Sequence, residues 1–431
     1  MKKLYLAIII SIFLLFGCVM VGAKDLEIWL VASTEKAKII KTLTEQYFTP
    51  KTGVNASFSL MNWEDAMSKI YLALASGDIP DIAQMGSTWQ GEFGLRGGIL
   101  DLAKAFPTEA KAVLARMYPG SIQPLNFKGT TWGVPAELGN MQAFIRTDIF
   151  QENGWEEAKT WDELYKILPK MQAKNMNFGI FYGVDGLTWF VASAFLRQAG
   201  GDVYLPGGTK STLDTPESID GFSRFTELFT KHGVPKAIQP YQDFRQGDIP
   251  YLCGSTTIVY GGFAVGSPEL KGKWQTSLLP GTIRKDGTIN HSGYLGTNNF
   301  AIFEKSKMHQ DAFEWIKWFT SEEIQTLYTT EFHSKLPGTY HISPNMKAMA
   351  KMDIKPEDRA VLMNQLEEDI GIPFALGGET VWRYVDNATV SVVLNGENPE
   401  KAIRKAAKEV TDEMQRKARE FKRYLDKLPA N

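Results

Sequence analysis

Small hydroxyl, amide and aromatic side chains follow three predicted strands, at the point where each strand ends. In chain order they are Ser33, then Asn62 and Trp63, then Ser87 and Trp89. Each group precedes a predicted helix, whose first N–H donors suit hydroxyl or anionic ligands. Because ligands of α/β sheets bind beyond the carboxyl ends of the strands, we expect these groups to contribute to a binding site. Helix capping is the alternative role of Asn62 and Ser87.

The sequence shows no good catalytic or metal-binding signature. The five histidines are scattered without zinc-like spacing, and the motifs of metalloproteases, serine hydrolases and paired-cysteine sites are missing. Residues 207–211 resemble a phosphate-binding loop, but Thr209 stands where that motif needs a glycine. The acidic run 367–369 is typical of a solvated helix face rather than of a glycosidase pair. We therefore expect no enzyme, no cofactor and no bound metal.

The aromatic content is high, with 11 Trp, 15 Tyr and 25 Phe among 431 residues. Several of the tryptophans lie in glycine-rich or polar segments, outside the apolar periodic runs. An exposed flat ring is costly unless a partner stacks on it, and the C–H faces of sugars are suitable partners. Sugar hydroxyls also need dense hydrogen bonding, which small polar side chains supply. The pattern favours carbohydrate binding.

Strands and helices alternate along the chain. Alternation and β-propensity predict a strand at 26–31, followed by a helix that begins near Thr34. Further strands are predicted at 54–60, 81–85, 179–182, 257–260 and 299–303. Thr160 and Glu163 have the spacing of a capping box at a helix start. The alternation predicts an α/β fold with doubly wound sheets, whose helices cover both faces.

The first residues have the pattern of a secretory signal. Two lysines precede an apolar run that ends at Phe16, and small residues follow as far as Ala23. We expect cleavage after Ala23, which makes residues 1–23 a signal peptide. Lipidation at Cys18 and retention as a membrane anchor are the alternatives. The protein is then expected to work outside the cytoplasm, in the periplasm or at the cell surface.

Charge and cysteine content restrict the partners. The formal net charge of -2 argues against nucleic acid, which needs a basic surface. Cys18 and Cys253 are the two cysteines, so the exported chain has one thiol, which we expect to be buried and structural. About 400 exported residues exceed a single core of ordinary size, which predicts two domains. We expect a monomer.

Several segments together resemble the extracellular solute-binding proteins of carbohydrate ABC importers, the maltose-binding-like group. They are LASGDIPDI at 74–82, GVPA at 133–136, RTDIF at 146–150, TWDEL at 160–164 and LNGENPE at 394–400. The resemblance implies two doubly wound α/β lobes joined by hinge strands, with a ligand cleft between them, as in type II periplasmic binding proteins. The implied N-terminal lobe is 24–135 plus 297–335, and the implied C-terminal lobe is 136–296 plus 336–431.

The resemblance also implies which side chains contact the ligand. The implied contacts are Trp382, Phe263, Trp189, Trp89, Glu137, Asn140, Asp185, Gly262 and Tyr294. The first four are aromatic residues that would stack on sugar rings. Ser87 and Thr88 stand where charged partners are frequent in the family, which favours a near-neutral ligand.

By the same resemblance, the chain is expected to be the substrate-binding component of an ABC sugar importer. It would capture an oligosaccharide or sugar derivative between the lobes, close about the hinge and deliver the sugar to a membrane permease. Two alternatives remain open. The first is a receptor of the same build for a peptide, polyamine or glycerol phosphate, and the second is an extracytoplasmic carbohydrate-active enzyme.

Overall fold

The computed structural model describes residues 24–182, 188–264, 266–336 and 340–428. The predicted signal segment with Cys18 lies outside the described residues, and so does Asp185. Among the residues that are described, no helix has both the length and the hydropathy that a membrane span requires.

Fourteen strands form within the described residues. They are β1 (Lys24–Val31), β2 (Val54–Met61), β3 (Ile82–Gly86), β4 (Asn126–Phe127), β5 (Thr130–Thr131), β6 (Val134–Gly139), β7 (Met141–Ile145), β8 (Phe178–Ile180), β9 (Tyr251–Ser255), β10 (Gln275–Ser277), β11 (Thr282–Ile283), β12 (Ile289–Asn290), β13 (Tyr294–Ile302) and β14 (Ile370–Gly371).

The α-helices of the described ranges surround these strands. They are α1 (Thr34–Leu43), α2 (Thr49–Thr52), α3 (Trp63–Ser76), α4 (Gln90–Leu95), α5 (Leu102–Ala105), α6 (Pro107–Leu114), α7 (Pro119–Ile122), α8 (Thr147–Asn153), α9 (Trp161–Gln172), α10 (Thr188–Gln198), α11 (Pro216–Thr230), α12 (Pro240–Gln246), α13 (Thr256–Ala264), α14 (His309–Phe319), α15 (Glu322–Lys335), α16 (Met346–Met349), α17 (Pro356–Glu368), α18 (Gly378–Val393) and α19 (Pro399–Leu425). A π-helical segment (Thr44–Phe48) and two short 3₁₀ turns complete the helical structure.

Strands from distant parts of the chain form two principal sheets. The first has the order β14–β13–β3–β1–β2, with β6 also paired to β13, and the second has the order β10–β7–β9–β8. Strands β1, β2 and β3 pair in parallel, as expected of a doubly wound sheet, whereas β13 runs antiparallel to β3 and β6. Strand β6 leads into β7 through Asn140, so the chain passes from the first sheet to the second at this residue.

Separate apolar cores lie on the two sheets. One cluster, around Phe144 and Phe225, contains the second sheet with α9, α10 and α11. Another, around Ile28 and Trp315, contains the first sheet with α1 and α14. A continuous apolar core is what makes a domain a unit, so the separation of these two clusters supports two lobes.

Helix α19 packs on both lobes. Its stripe of Ile403, Val410 and Met414 belongs to the core of the second lobe. Phe421, farther along the same helix, belongs to a first-lobe cluster that includes Phe93. The ion pair Lys417–Glu92, at 2.8 Å, ties the helix to α4.

Local sequence signals predict the element ends well. The capping box is confirmed, since Thr160 Oγ1 accepts from the Glu163 N–H at 3.2 Å and a Glu163 carboxylate oxygen accepts from the Thr160 N–H. The strand predicted at 257–260 is wrong: these residues lie in α13, and the strand is β9, immediately before it. The β-branched residues of this segment favour extended structure locally, but helical packing of Val259 into the core prevails.

The single thiol of the described residues is buried, as predicted. Cys253 lies in the middle of β9 with no solvent exposure. Burial raises the pKa of this thiol well above its ordinary value, which keeps the sulfur protonated and unreactive.

Candidate functional site

A cleft of about 570 Å³ lies where the two lobes meet. This volume is within the range of known small-molecule sites. The two lobes and the strands that connect them all contribute to its walls. The lining residues are Trp63, Gly86, Ser87, Thr88, Trp89, Glu137, Leu138, Gly139, Asn140, Trp189, Phe190, Ser255, Thr257, Gly296, Thr297, Asn298, Ile372 and Trp382.

Two tryptophans form the first-lobe wall. Trp63 opens α3 and Trp89 follows β3, and their ring centroids are 4.9 Å apart with 36° between the planes. Gly86, the last residue of β3, permits this pairing. A Cβ atom there would lie 3.0 Å from the Trp63 ring and 3.1 Å from the Trp89 ring, which is tighter than ordinary packing. The end of β3 is therefore shaped to hold two flat surfaces side by side.

A second tryptophan pair forms the opposite wall. Trp189 on α10 and Trp382 on α18 have ring centroids 4.4 Å apart with 32° between the planes. Trp382 also packs edge-on against Tyr294 at 5.3 Å, which holds its ring in place. Each lobe thus presents one pair of indole rings to the same cleft.

Three residues of the cleft lining each carry a buried polar atom that has no hydrogen-bond partner among the described residues. The atoms are Asn140 Oδ1, Thr297 Oγ1 and Trp382 Nε1. A buried polar group without a partner costs about 1–3 kcal/mol, so proteins keep few of them. The set contains one acceptor, one donor and one hydroxyl, which together suit a ligand that carries hydroxyl groups.

Glu137 is the one charged side chain among the described residues that line the cleft. Burial by itself raises its pKa, but Lys36 and His341 hold the pKa of Glu137 well below its usual range. Lys36 on α1 makes an ion pair with one carboxylate oxygen, and His341 Nδ1 lies 3.5 Å from the other. The carboxylate therefore has its own counter-ion, and the cleft as a whole is close to neutral.

A second carboxylate lies immediately behind the wall. Asp369 is 4% exposed and ends α17, where its side chain turns inward. The prediction of a solvated face at 367–369 is therefore wrong for this residue. Its oxygens accept hydrogen bonds from Asn140 Nδ2 at 3.1 Å, Gln365 Nε2 at 2.7 Å and the Gly293 N–H at 2.9 Å. Burial raises the pKa of Asp369 to about 7, in spite of these three donors.

Most of the candidate residues come together at the cleft. Those that line it are Trp63, Ser87, Trp89, Glu137, Asn140, Trp189 and Trp382. They arrive from α3, the β3–α4 turn, the β6–β7 crossing, α10 and α18, so elements up to about 320 residues apart in sequence meet here.

The structure does not bring five other candidates to the cleft lining. Ser33 accepts from the Lys36 N–H as the cap of α1, and Asn62 is exposed at the cap position of α3. Phe263 is 1% exposed and stacks on the core residue Phe244 with centroids 4.1 Å apart.

Gly262 and Tyr294 are also absent from the cleft lining. A Cβ atom at Gly262 would lie 1.9 Å from the Tyr241 ring, so this glycine is needed for packing. The Tyr294 hydroxyl donates to Asp202 Oδ1 at 2.6 Å and is fully buried. We therefore leave these residues, together with Ser33, Asn62 and Phe263, out of the proposed ligand contacts.

Sequence reasoning missed several lining residues. Thr297 and Asn298 lie on β13, and Ser255 and Thr257 lie at the β9–α13 junction. The strand prediction at 299–303 came close to the first pair, because β13 begins at Tyr294. The second pair was missed because the sequence incorrectly predicts a strand at 257–260, whereas β9 ends at Ser255 and α13 begins at Thr256.

Known proteins resemble this chain in sequence. The family model described as "Bacterial extracellular solute-binding protein" matches residues 32–326. The maltotriose-binding protein of Pyrococcus abyssi is 24% identical over 305 residues, which is 70% of this chain and 63% of that protein, less than two thirds of its length. The diacetylchitobiose binding protein DasA of Streptomyces coelicolor is 22% identical over 314 residues, which is 70% of this chain and 71% of the relative.

Solved structures share the fold. The sugar-binding protein MalE of Xanthomonas citri has a TM-score of 0.78 at 18% identity, covering 94% of this chain and 100% of that one. The cyclic alpha-maltosyl-1,6-maltose binding protein of Arthrobacter globiformis has a TM-score of 0.77 at 19% identity, covering 92% of this chain and 100% of that one. These similarities confirm the predicted architecture of two α/β lobes.

Proposed function

This chain belongs to the bacterial extracellular solute-binding protein family, and from that premise we propose that it is the substrate-binding component of an ABC sugar importer. It binds an oligosaccharide or sugar derivative in the cleft between the lobes and delivers it to a membrane permease. The names of two relatives, which bind maltotriose and diacetylchitobiose, support a sugar as the ligand class.

The observation that carries this proposal is the pair of tryptophans on each lobe. Trp63 and Trp89 face the cleft from one side, and Trp189 and Trp382 face it from the other. Indole rings stack on the C–H faces of pyranoses, and an aromatic contact of this kind contributes about 0.5–1.5 kcal/mol beyond its area. Because Glu137 is already paired, the cleft favours a neutral ligand over an anion or a polyamine.

Binding is coupled to closure of the lobes. A ligand shifts the balance between open and closed forms only if it binds them with different affinity. A sugar held between the two tryptophan pairs contacts both lobes in the closed form and fewer groups in the open form. Micromolar affinity needs about -8 kcal/mol, which stacking and satisfied hydroxyl groups supply after ordering costs.

The chain is expected to bind its sugar without altering it, to act as a monomer and to work outside the cytoplasm. Family membership supports binding rather than catalysis. For export we keep both expectations, namely cleavage after Ala23 or lipidation at Cys18. Recovery of the bound sugar chemically unchanged, after long incubation with the protein, tests the absence of catalysis.

A thermal-shift screen across ligand classes tests the function directly, because a ligand that binds the folded state raises the melting temperature. The panel contains neutral mono- and oligosaccharides, short peptides, polyamines and glycerol phosphate. We expect neutral sugars alone to stabilise the protein. Stabilisation by one of the other classes, with none by any sugar, would overturn the proposal.

A further inference from the structure

The Asn140 side chain stands between the cleft and the buried carboxylate of Asp369. Its Nδ2 donates to Asp369 Oδ2 at 3.1 Å, while its Oδ1 is buried and has no partner among the described residues. The residue itself lines the cleft. The backbone of Asn140 is fixed as well, because its carbonyl oxygen accepts from the Thr256 N–H at 2.9 Å. The residue is 1% exposed and has little freedom to move as a whole.

The surroundings of Asp369 decide which way the Asn140 amide points. The other carboxylate oxygen, Oδ1, is already occupied by the Gln365 Nε2 and Gly293 N–H donors. Oδ2 therefore faces Asn140 as an acceptor and attracts the NH₂ end of the amide. Above its pKa of about 7 the Asp369 carboxyl is ionised, and turning the amide by 180° would then place two oxygen acceptors against each other, which is strongly unfavourable in a buried site.

We propose that Asp369 is a positioning residue for ligand recognition, which fixes the Asn140 amide so that its oxygen and not its nitrogen faces the cleft. This deepens the proposed function and rests on it. At this point the cleft wall is an acceptor, so the ligand group opposite it must be a donor. For a neutral sugar, that group is a hydroxyl whose hydrogen points toward Asn140 Oδ1.

The substitution Asp369→Asn tests the proposal because it reverses the polarity of the contact at nearly constant volume. The carbonyl oxygen of the new amide takes over the Gln365 and Gly293 donors, and its NH₂ group then faces Asn140. Two NH₂ groups repel, so the Asn140 amide turns and presents Nδ2 to the ligand. We expect the affinity for the sugar to fall on the order of tenfold, which is the equivalent of one hydrogen bond.

A double-mutant cycle with Asn140→Ala separates positioning from a general structural role. Affinities are measured by calorimetry well above the Asp369 pKa of about 7, so that this carboxyl is ionised. The ligand is the tightest-binding sugar of a neutral panel that includes maltotriose and diacetylchitobiose. In the Asn140→Ala background, Asp369→Asn is expected to change affinity less than twofold. An equal loss in both backgrounds would overturn the positioning role, while leaving the proposed function intact.

Asp358→Asn is the matched control. Asp358 is a buried carboxylate of similar exposure that accepts from Tyr260 and Thr276 and does not line the cleft. Its substitution is expected to lower stability but not affinity. A loss of affinity as large as that of Asp369→Asn would show that removing any buried carboxylate has this effect, and would overturn the proposal.

Failure of every panel sugar to bind the wild type overturns the proposed function and, with it, this inference.

A second measurement needs no substitution at Asp369, in case that variant does not fold. Deoxy and deoxyfluoro analogues of the bound sugar are compared at each hydroxyl position, since fluorine accepts weakly but has no hydrogen to donate. At the hydroxyl opposite Asn140, the deoxy and the deoxyfluoro analogue are expected to bind the wild type equally more weakly than the parent sugar. In Asn140→Ala, both analogues are expected to bind as tightly as the parent sugar does. Retention of affinity by the fluoro analogue at every position sensitive to Asn140→Ala would show a donor on the wall and contradict the proposal.

Discussion

The four tryptophans of the cleft differ in how much they contribute to their own lobes. Trp63 is 47% exposed, whereas Trp89 and Trp382 are each 4% exposed and belong to apolar cores. The sequence pattern favours Trp382 as a ligand contact, but its burial means that removing the ring also leaves a cavity. Trp63 therefore offers the cleaner test of stacking.

We expect Trp63→Ala to weaken sugar binding by about 1–3 kcal/mol with little loss of stability, because much of the ring surface faces the cleft rather than the core. Trp382→Ala is expected to weaken binding and also to lower the melting temperature. Calorimetry and thermal melts of both variants measure this difference. Leu72→Ala, an exposed apolar residue on the same helix as Trp63, is the control, and equal loss of affinity there would argue against specific stacking.

Asp369 makes the free energy of unfolding depend on pH. Folding raises the pKa of this carboxyl from 3.8 to about 7, so the folded protein holds the proton more tightly than the unfolded chain. Its contribution to stability is complete below about pH 4 and is lost as the pH rises through 7. Relative to Asp369→Asn, the wild type is expected to lose up to roughly 4 kcal/mol over this range, since one pKa unit equals about 1.36 kcal/mol. Denaturant unfolding at several pH values checks this, and a constant difference between the two proteins would contradict it.

The role of Asp369 was beyond the reach of sequence reasoning. Its donors Gly293 and Asn140 are 76 and 229 residues away in the chain, so nothing local distinguishes it from a solvated acid. By contrast, the sequence does predict three cleft residues as ligand contacts. The end of a predicted strand indicates Trp89, and the family resemblance indicates Glu137 and Asn140.

At the scale of elements, strand ends and helix starts carry most of the site. The β1, β2 and β3 strands and the cap of α9 follow from local patterns, so the sequence predicts them correctly. The α13 helix does not follow from its local sequence. Its β-branched residues favour a strand, and only packing in the second lobe makes it helical. Cleft residues on α13 were missed for the same reason.

The junction of β3 and α4 is sensitive to a single methyl group. Gly86→Ala places a Cβ atom 3.0–3.1 Å from the two indole rings of the first-lobe wall, which must then move apart by a few tenths of an ångström. We expect sugar affinity to fall several-fold, while the melting temperature changes little because Trp63 can swing outward. Calorimetry and tryptophan fluorescence measure the effect. Unchanged affinity would mean that the spacing of the Trp63–Trp89 pair is not part of recognition.

At the scale of the whole molecule, two lobes with separate cores and one shared cleft predict a movement between rigid halves. We expect small-angle X-ray scattering to show a smaller radius of gyration when a saturating sugar is added, because closure brings the lobes together. A sugar that binds tightly without changing the scattering curve would contradict coupling of binding to closure. Trp63→Ala with the same sugar serves as the control, since at equal occupancy it should close less completely.

The position of helix α19 decides where fluorescent labels can report closure of the lobes. The described chain starts in β1 of the first lobe, and α19 carries its far end back to that lobe through Phe421 and Lys417. Fluorescent labels on β1 and just beyond Phe421 would therefore both follow the first lobe and give little signal. A reporter of sugar uptake needs one dye on the second lobe, for instance on the outer face of α11, and the other on β1 or just beyond Phe421.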